Sequence, residues 1–306
     1  MVVTKSCLFR HGDRRNRFSG CGGVCDDQRN DLKAKSAKNK PWPLAVASLT
    51  IRQVIAYRAD FWVNFIFYSL CQLAMSYFVW KSIYQIKGEE MIGSRNFSQM
   101  VFYTLATPML ARVLYGLPIF HTAREIYSGE LNKYLVYPIN YFLYRFTVHY
   151  IHCLFYFLQM LLALGLYHFF IGFPPNLNLN FFTLLGVFLF MHFSLILYFL
   201  LNSCIEQVAF WADNVWSLII AHRMVIVLAG GVLIPIDLFP EWSLTFIHWL
   251  PYQAMIAYPI QILEGNITMD LLLLGVGQML LWIGVALIIN TLIWRRGNLQ
   301  YTGVGI

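Results

Sequence analysis

Six apolar runs, each about as long as a bilayer-crossing helix, divide this chain and leave few ways for it to fold. They cover approximately residues 61–80, 97–115, 141–171, 181–201, 214–234 and 271–294, and the segments between them carry the charges, prolines and asparagines. The runs are continuous, not alternating, and an open strand would leave its backbone unpaired in lipid, so helices are the reading they allow. Charged residues make up 12% of the 306, against about 25% in a soluble domain, too few to coat a globule of this size. The expected fold is an all-α integral membrane protein with six transmembrane helices.

Lysines and arginines in the short loops set the orientation. The first 58 residues hold many, among them Arg14, Arg15, Arg17, Lys33, Lys35, Lys38 and Lys40. The segment 121–140 adds Arg124 and Lys133, Arg145 follows, and Arg295 and Arg296 end the last run. The loop near 172–180 and the stretch 235–270 have none. The loop 81–96 is the exception, with Lys81, Lys87 and Arg95 against Glu89 and Glu90. The balance places both termini in the cytoplasm of a cell that carries this protein in its plasma or inner membrane. The net charge of +7 sits mostly in the N-terminal tail and reads as attraction to anionic lipid headgroups, with no nucleic-acid partner implied.

Residues 1–40 are polar and basic, with nothing to bury, and are expected to be a disordered cytoplasmic tail ahead of a transmembrane domain over 41–306. Cys7, Cys21, Cys25 and His11 have weak spacing for zinc, and an unstructured tail is the preferred reading. Cys71, Cys153 and Cys204, in or at the ends of runs, read as small apolar residues. Over 44–58, Leu44, Ala47, Ile51, Val54 and Ile55 recur at helical spacing, which predicts a helix lying in the cytoplasmic interface. On the other side, 235–270 combines four prolines with Trp242, Phe246 and Trp249, which suggests short helices lying in or dipping into the outer leaflet.

Catalytic patterns are sparse. His149 and His152 share a helical face, but no further histidine clusters join them. No Gly-Lys pair occurs, so the chain has no P-loop and any ATP must be held by another subunit. His222 and Arg223, near the middle of the fifth run, either face a wet interior and bind an anionic group or form a structural pair. Arg112, closer to a cytoplasmic end, is expected to snorkel. Gln278 and Trp282, one turn apart, line an interior or pack helices. The triplets at Asn96 and Asn266 are glycosylation acceptors only in a eukaryotic secretory pathway.

Two stretches go further. Residues 124–138 read R-E-I-x-x-G-x-L-x-x-x-L-x-x-P, and 230–242 read GGVLIPIDLFPEW, followed by LPYQAMIAYPIQILEG at 250–265 and WRRGNLQYTGVG at 294–305. Together, in this order and on opposite sides of the derived topology, they resemble the permease subunits of ABC-2 type transporters over roughly 44–306. The resemblance implies a non-catalytic subunit forming half of a dimeric pore, as a homodimer or with a paralogous permease. Cytoplasmic ABC ATPase subunits would bind the ATP and Mg, so this chain itself needs no cofactor. It further implies a coupling helix that docks on the ATPase, carried here by Arg124, Glu125, Ile126, Gly129, Leu131, Leu135 and Pro138. Re-entrant helices would shape an outer gate through Gly230, Pro235, Phe239, Pro240, Trp242, Pro251 and Pro259. His222, Arg223 and Gln278 are the candidates for the substrate pathway. The family leans towards export of lipids, hydrophobic natural products or peptides. The competing classes are an ion-gradient transporter, which usually shows repeats or paired membrane carboxylates, and a lipid-modifying membrane enzyme, which needs an acid, base or metal cluster. This chain offers neither pattern.

Overall fold

The computed structural model describes residues 41–116, 120–265 and 268–303. The tail over 1–40 with Cys7, His11, Cys21 and Cys25, the acceptor Asn266, and Val304 and Gly305 of the last motif lie outside these residues. The chain divides into a short unit, Met1–Ala45, and a main unit, Val46–Ile306. Helix α1 (Trp42–Ala56) begins in the first and continues into the second. Its residues Leu49, Ile51 and Ile55 are exposed, and only Thr50 and Val54 are buried.

The main unit then runs through α2 (Arg58–Lys87), a hairpin of β1 (Met91–Ile92) and β2 (Arg95–Asn96), and α3 (Phe97–Tyr115). Two short helices follow, α4 (His121–Tyr127) and α5 (Leu131–Val136), before the long α6 (Tyr141–Phe170) and α7 (Phe181–Glu206). A 3-10 turn, Gln207–Phe210, extends α7. After α8 (Trp216–Ala229) come a 3-10 turn at Ile236–Leu238, α9 (Glu241–Trp249), α10 (Tyr252–Leu263) and α11 (Met269–Gln300). The only strands among the described residues pair antiparallel, Met91 with Asn96 and Ile92 with Arg95. The protein is an all-α membrane protein. Among the described residues, four helices are long and apolar enough to cross a membrane: α2, α6, α7 with its extension, and α11.

Two of the six apolar runs do not reach that mark. Helix α3 spans 97–115 as expected but carries Gln99, Pro108 and Arg112 and is buried along nearly its whole length. The run 214–234 holds a helix of only 14 residues. Asn214 Oδ1 accepts from Trp216 N at 2.8 Å at its start, and the chain turns at Gly230 and at Gly231, which has a positive φ of 71°. An apolar composition continues through that turn, so hydropathy alone overestimates the helix.

The core forms where α7 packs against α10 and α11, and where α3 lies between α2 and α6. Both α3 and α10 contain a proline, and each proline deprives the carbonyl four residues earlier of its helical donor. In a membrane such a carbonyl needs another partner. For Pro108, the freed oxygen is that of Thr104, which accepts from Gln72 Nε2 on α2 at 3.0 Å. For Pro259 it is that of Met255, which accepts from Ser194 Oγ on α7 at 3.0 Å. Each interruption is therefore closed by a side chain from a neighbouring helix.

Candidate functional site

The segment 121–138 folds as two short helices hinged at Gly129, whose φ of 71° is cheap only for glycine. Ser128 N donates to Arg124 O and Gly129 N to Ile126 O, at 2.9 and 3.2 Å, closing the first helix. Its apolar residues divide between two environments. Ala123, Ile126 and Leu131 are buried in a small core with Tyr141, Ala209, Val215 and Ile219. Leu135, Val136 and Tyr137 are exposed, Val136 at 84%, and Arg124 and Pro138 are exposed as well.

Polar contacts fasten the inward side. The buried Glu125 forms an ion pair with Arg145 of α6 and accepts from Tyr141 Oη at 2.7 Å. Arg145 Nε donates to the same tyrosine oxygen at 3.2 Å. Glu206, at the end of α7, accepts from the backbone N–H of Thr122 at 2.7 Å and from Asn202 Nδ2 at 2.6 Å. Tyr127 Oη donates to Ala212 O at 2.9 Å, Asn132 Nδ2 donates to Gly303 O at 3.1 Å, and Trp294 of α11 stacks on Tyr141. Helix α4 is thus tied to α6 and α7, and its surroundings to α11. Outside, Lys133 pairs with Glu130 at 2.7 Å and holds that carboxyl below its usual range. Burial, aided by Arg145, pushes the His121 imidazole below its usual value.

Above this segment a polar cavity of about 50 Å³ is lined by Tyr115, His121, Asn202, Glu206 and Arg223 among others. Arg223 lays its guanidinium 4.7 Å from the Tyr115 ring centre, and its Nε has no partner. His222 is buried between the rings of Tyr198 and Tyr252. Arg112 packs its guanidinium over Tyr68 and Tyr156. His149 lies 3.4 Å from Cys153 Sγ through its Nε2, and no group of three His, Cys, Asp or Glu among the described residues is placed to hold a metal ion.

The opposite end is built around Arg95, which is 1% exposed. Its Nε and Nη2 donate to Glu264 Oε2 at 3.1 and 3.0 Å, and its Nη1 pairs with Asp237. Ser94 Oγ donates to Asp237 at 2.8 Å, and the guanidinium lies 4.5 Å from the Tyr103 ring centre. The hairpin after α2, the 3-10 turn at Ile236–Leu238 and the end of α10 therefore meet at one cation. Neither carboxylate was singled out by motif or spacing. The signal available in sequence was the misfit of Arg95 in the charge count, since a paired arginine does not act as an orientation signal.

Around this cluster the motif residues organise the backbone. Gly230 lies so close to its neighbours that a Cβ would sit 2.5 Å from Ile226 O and 3.3 Å from Tyr252 O. Pro235 precedes the 3-10 turn, with half-buried Phe239 and exposed Pro240 leading into α9. Pro251 opens α10 and Pro259 is buried within it. Trp242 is exposed. The turn between α9 and α10 carries carbonyls with no helical donor, and α11 supplies the donors. Gln278 Nε2 donates to His248 O and Leu250 O at 2.7 and 2.9 Å, and Trp282 Nε1 to Trp249 O at 3.2 Å. Tyr103 and Thr107 of α3 do the same for Gly231 O and Val232 O, at 3.0 and 3.3 Å.

Residues 70–305 match the family model described as ABC-2 family transporter protein. No curated protein and no solved structure matches the chain.

Proposed function

The chain belongs to the ABC-2 transporter family, and from that premise we propose that it is the permease subunit of an ATP-driven exporter and forms half of a dimeric translocation pathway. Permeases of this family work with ATPase subunits. In this reading those partners hold ATP and Mg in the cytoplasm, and a second copy or a paralogous permease completes the pathway. The transmembrane domain is taken as 41–306, with α3 and α8 as spans inside the bundle and both termini cytoplasmic. The protein then sits in the plasma or inner membrane, with α1 in the cytoplasmic interface. The cargo is lipid-like, hydrophobic or peptidic.

The observation that carries the proposal is the division of labour within 121–138. Glu125, Ile126 and Leu131 face the chain's own helices, while Arg124, Leu135 and Pro138 lie on the surface with Val136 and Tyr137. A segment that must pass force from a soluble partner needs both properties: fastening behind and an adhesive, mixed surface in front. Gly129 is the bend between the two.

The outer segment supports a gate of re-entrant helices. The α9–α10 turn rests against Gln278 and Trp282, about two and a half and three and a half helical turns from the start of α11. Irregular backbone at that depth needs internal donors, and it has them. Gln278 thereby has its amide engaged, and Arg223, with its unpartnered Nε beside a polar cavity, is the stronger pathway candidate, His222 lying next to it.

The test is to purify the chain with its partners and reconstitute it. An ATPase subunit is expected to co-purify and transport to need ATP. The double variant Arg124→Glu, Leu135→Asp should insert normally and lose stimulation of ATP hydrolysis. Transport on an ion gradient by the chain alone would overturn the reading.

A further inference from the structure

On the outer half of the bundle, α9, α10 and α11 enclose an open groove of about 1110 Å³. It exceeds the range of about 300–1,000 Å³ of small-ligand pockets. Its polarity is graded along α11. At one end lie Gln261 and Asp270, and further in the wall is Leu274, Leu281 and Trp282. Most of the deeper polar atoms are engaged: Gln278 and Trp282 donate to the carbonyls of the α9–α10 turn, and His248 Nδ1 pairs with Gln253 Oε1 at 2.7 Å. What the deep groove presents is therefore mostly carbon. From Asp270 to Trp282 the helix rises about 18 Å, close to the roughly 15 Å of hydrocarbon in one leaflet.

We propose that this groove binds one membrane amphiphile, its hydrocarbon chain along Leu274, Leu281 and Trp282 and its headgroup at Gln261 and Asp270. A carboxylate and an amide at the mouth select a headgroup that donates hydrogen bonds, an amine in particular. Val63, Phe67 and Leu70 on α2 are exposed apolar residues that do not line this groove. As a cargo or exit site the groove rests on the permease reading of the outer segment; as a binding site it requires only that α11 lies in the bilayer.

Gly277 provides the means to test it. It lines the groove, and a Cβ there would meet nothing within 4 Å, so the side chain of Gly277→Leu starts into open groove space. The neighbouring Gly275, in contrast, sits 2.7 Å from Tyr258 in the same sense and is left alone. The full chain in phosphatidylcholine nanodiscs is given a phosphatidylethanolamine with a diazirine on its acyl chain, illuminated, and mapped by peptide mass spectrometry. Crosslinks are expected on the 270–282 and 249–261 segments. Gly277→Leu should lower them about tenfold, the effect of overfilling an apolar site. Leu274→Trp, at an exposed wall position, serves as a second blocking variant. Asp270→Asn should remove the preference over the choline analogue of the probe. Three outcomes overturn the inference: labelling spread evenly over α2 and α11, labelling indifferent to both blocking variants, or spontaneous Gly277→Cys disulfides between copies, which would mean that a second chain fills the groove. None of these readouts involves ATP or a partner, so their failure leaves the permease reading standing, and its failure leaves them intact.

Discussion

In the proposed orientation, with 121–138 at the inner end, the inner and outer ends of the molecule each bury an arginine, and the contrast between them separates two kinds of fastening. At the inner end Arg145 meets Glu125, twenty positions earlier in the sequence, with Tyr141 between them. At the outer end Arg95 meets Asp237 and Glu264, 142 and 169 residues away. The inner contact ties a short helix to the span that follows it. The outer contact closes the fold across most of its length. A buried ion pair contributes little net stability compared with well-packed apolar residues, but breaking one side of it is costly because the other charge stays behind. The two arginines should therefore differ in what fails when they are removed.

The largest effect is expected from Arg95→Met, which removes the cation shared by Asp237 and the nearly inaccessible Glu264. A loss of about 3–5 kcal/mol should appear as a lower unfolding midpoint in detergent. A variant as stable as the parent would remove the idea that one cation holds the outer end together. Glu125→Gln comes next. It keeps an acceptor for Tyr141 but leaves Arg145 without its counter-charge, so a loss of about 2 kcal/mol is expected. If the inner contact transmits force, ATP hydrolysis should also uncouple from transport in this variant. In Arg95→Met, hydrolysis and transport should instead fall together with the amount of folded protein. Lys133→Ala is expected to change neither stability nor transport measurably, since its pairing with Glu130 is on the open surface and screened by salt. A large effect there would mean that the exposed face of 121–138 is gripped through its charges, and would shift weight from Leu135 and Tyr137 to Lys133.

Much of this layout could be read before any coordinates, and the parts that could not have a common cause. Periodicity and length located α3 and α6 to within a residue, because lipid forces continuous helices and the charged segments between them are abrupt. The short α8 escaped, because Gly230 and Gly231 turn the chain inside a run that stays apolar. The motif over 124–138 was visible as a motif, yet nothing in its residues tells which apolar positions face the chain itself. Ile126 and Leu135 look alike in sequence and lie in opposite environments. Asp237 and Glu264 were unreadable for the same reason: a carboxylate finds a partner 142 residues away through the fold, and no local pattern records that distance.

The borrowed donors carry a consequence for how the protein is made. Gln72 precedes the Pro108 helix in the chain, Ser194 precedes the Pro259 helix, and Tyr103 and Thr107 precede the turn they complete at 231–232. At each of these places the ribosome has delivered the lender before the borrower emerges, so every interrupted segment meets a waiting partner as it enters the membrane. The α9–α10 turn is the exception, since Gln278 and Trp282 come after it. That hairpin has to wait, with its carbonyls open, until the last helix arrives, which makes it the latest element to settle and the one that a truncated or stalled chain would leave unfinished.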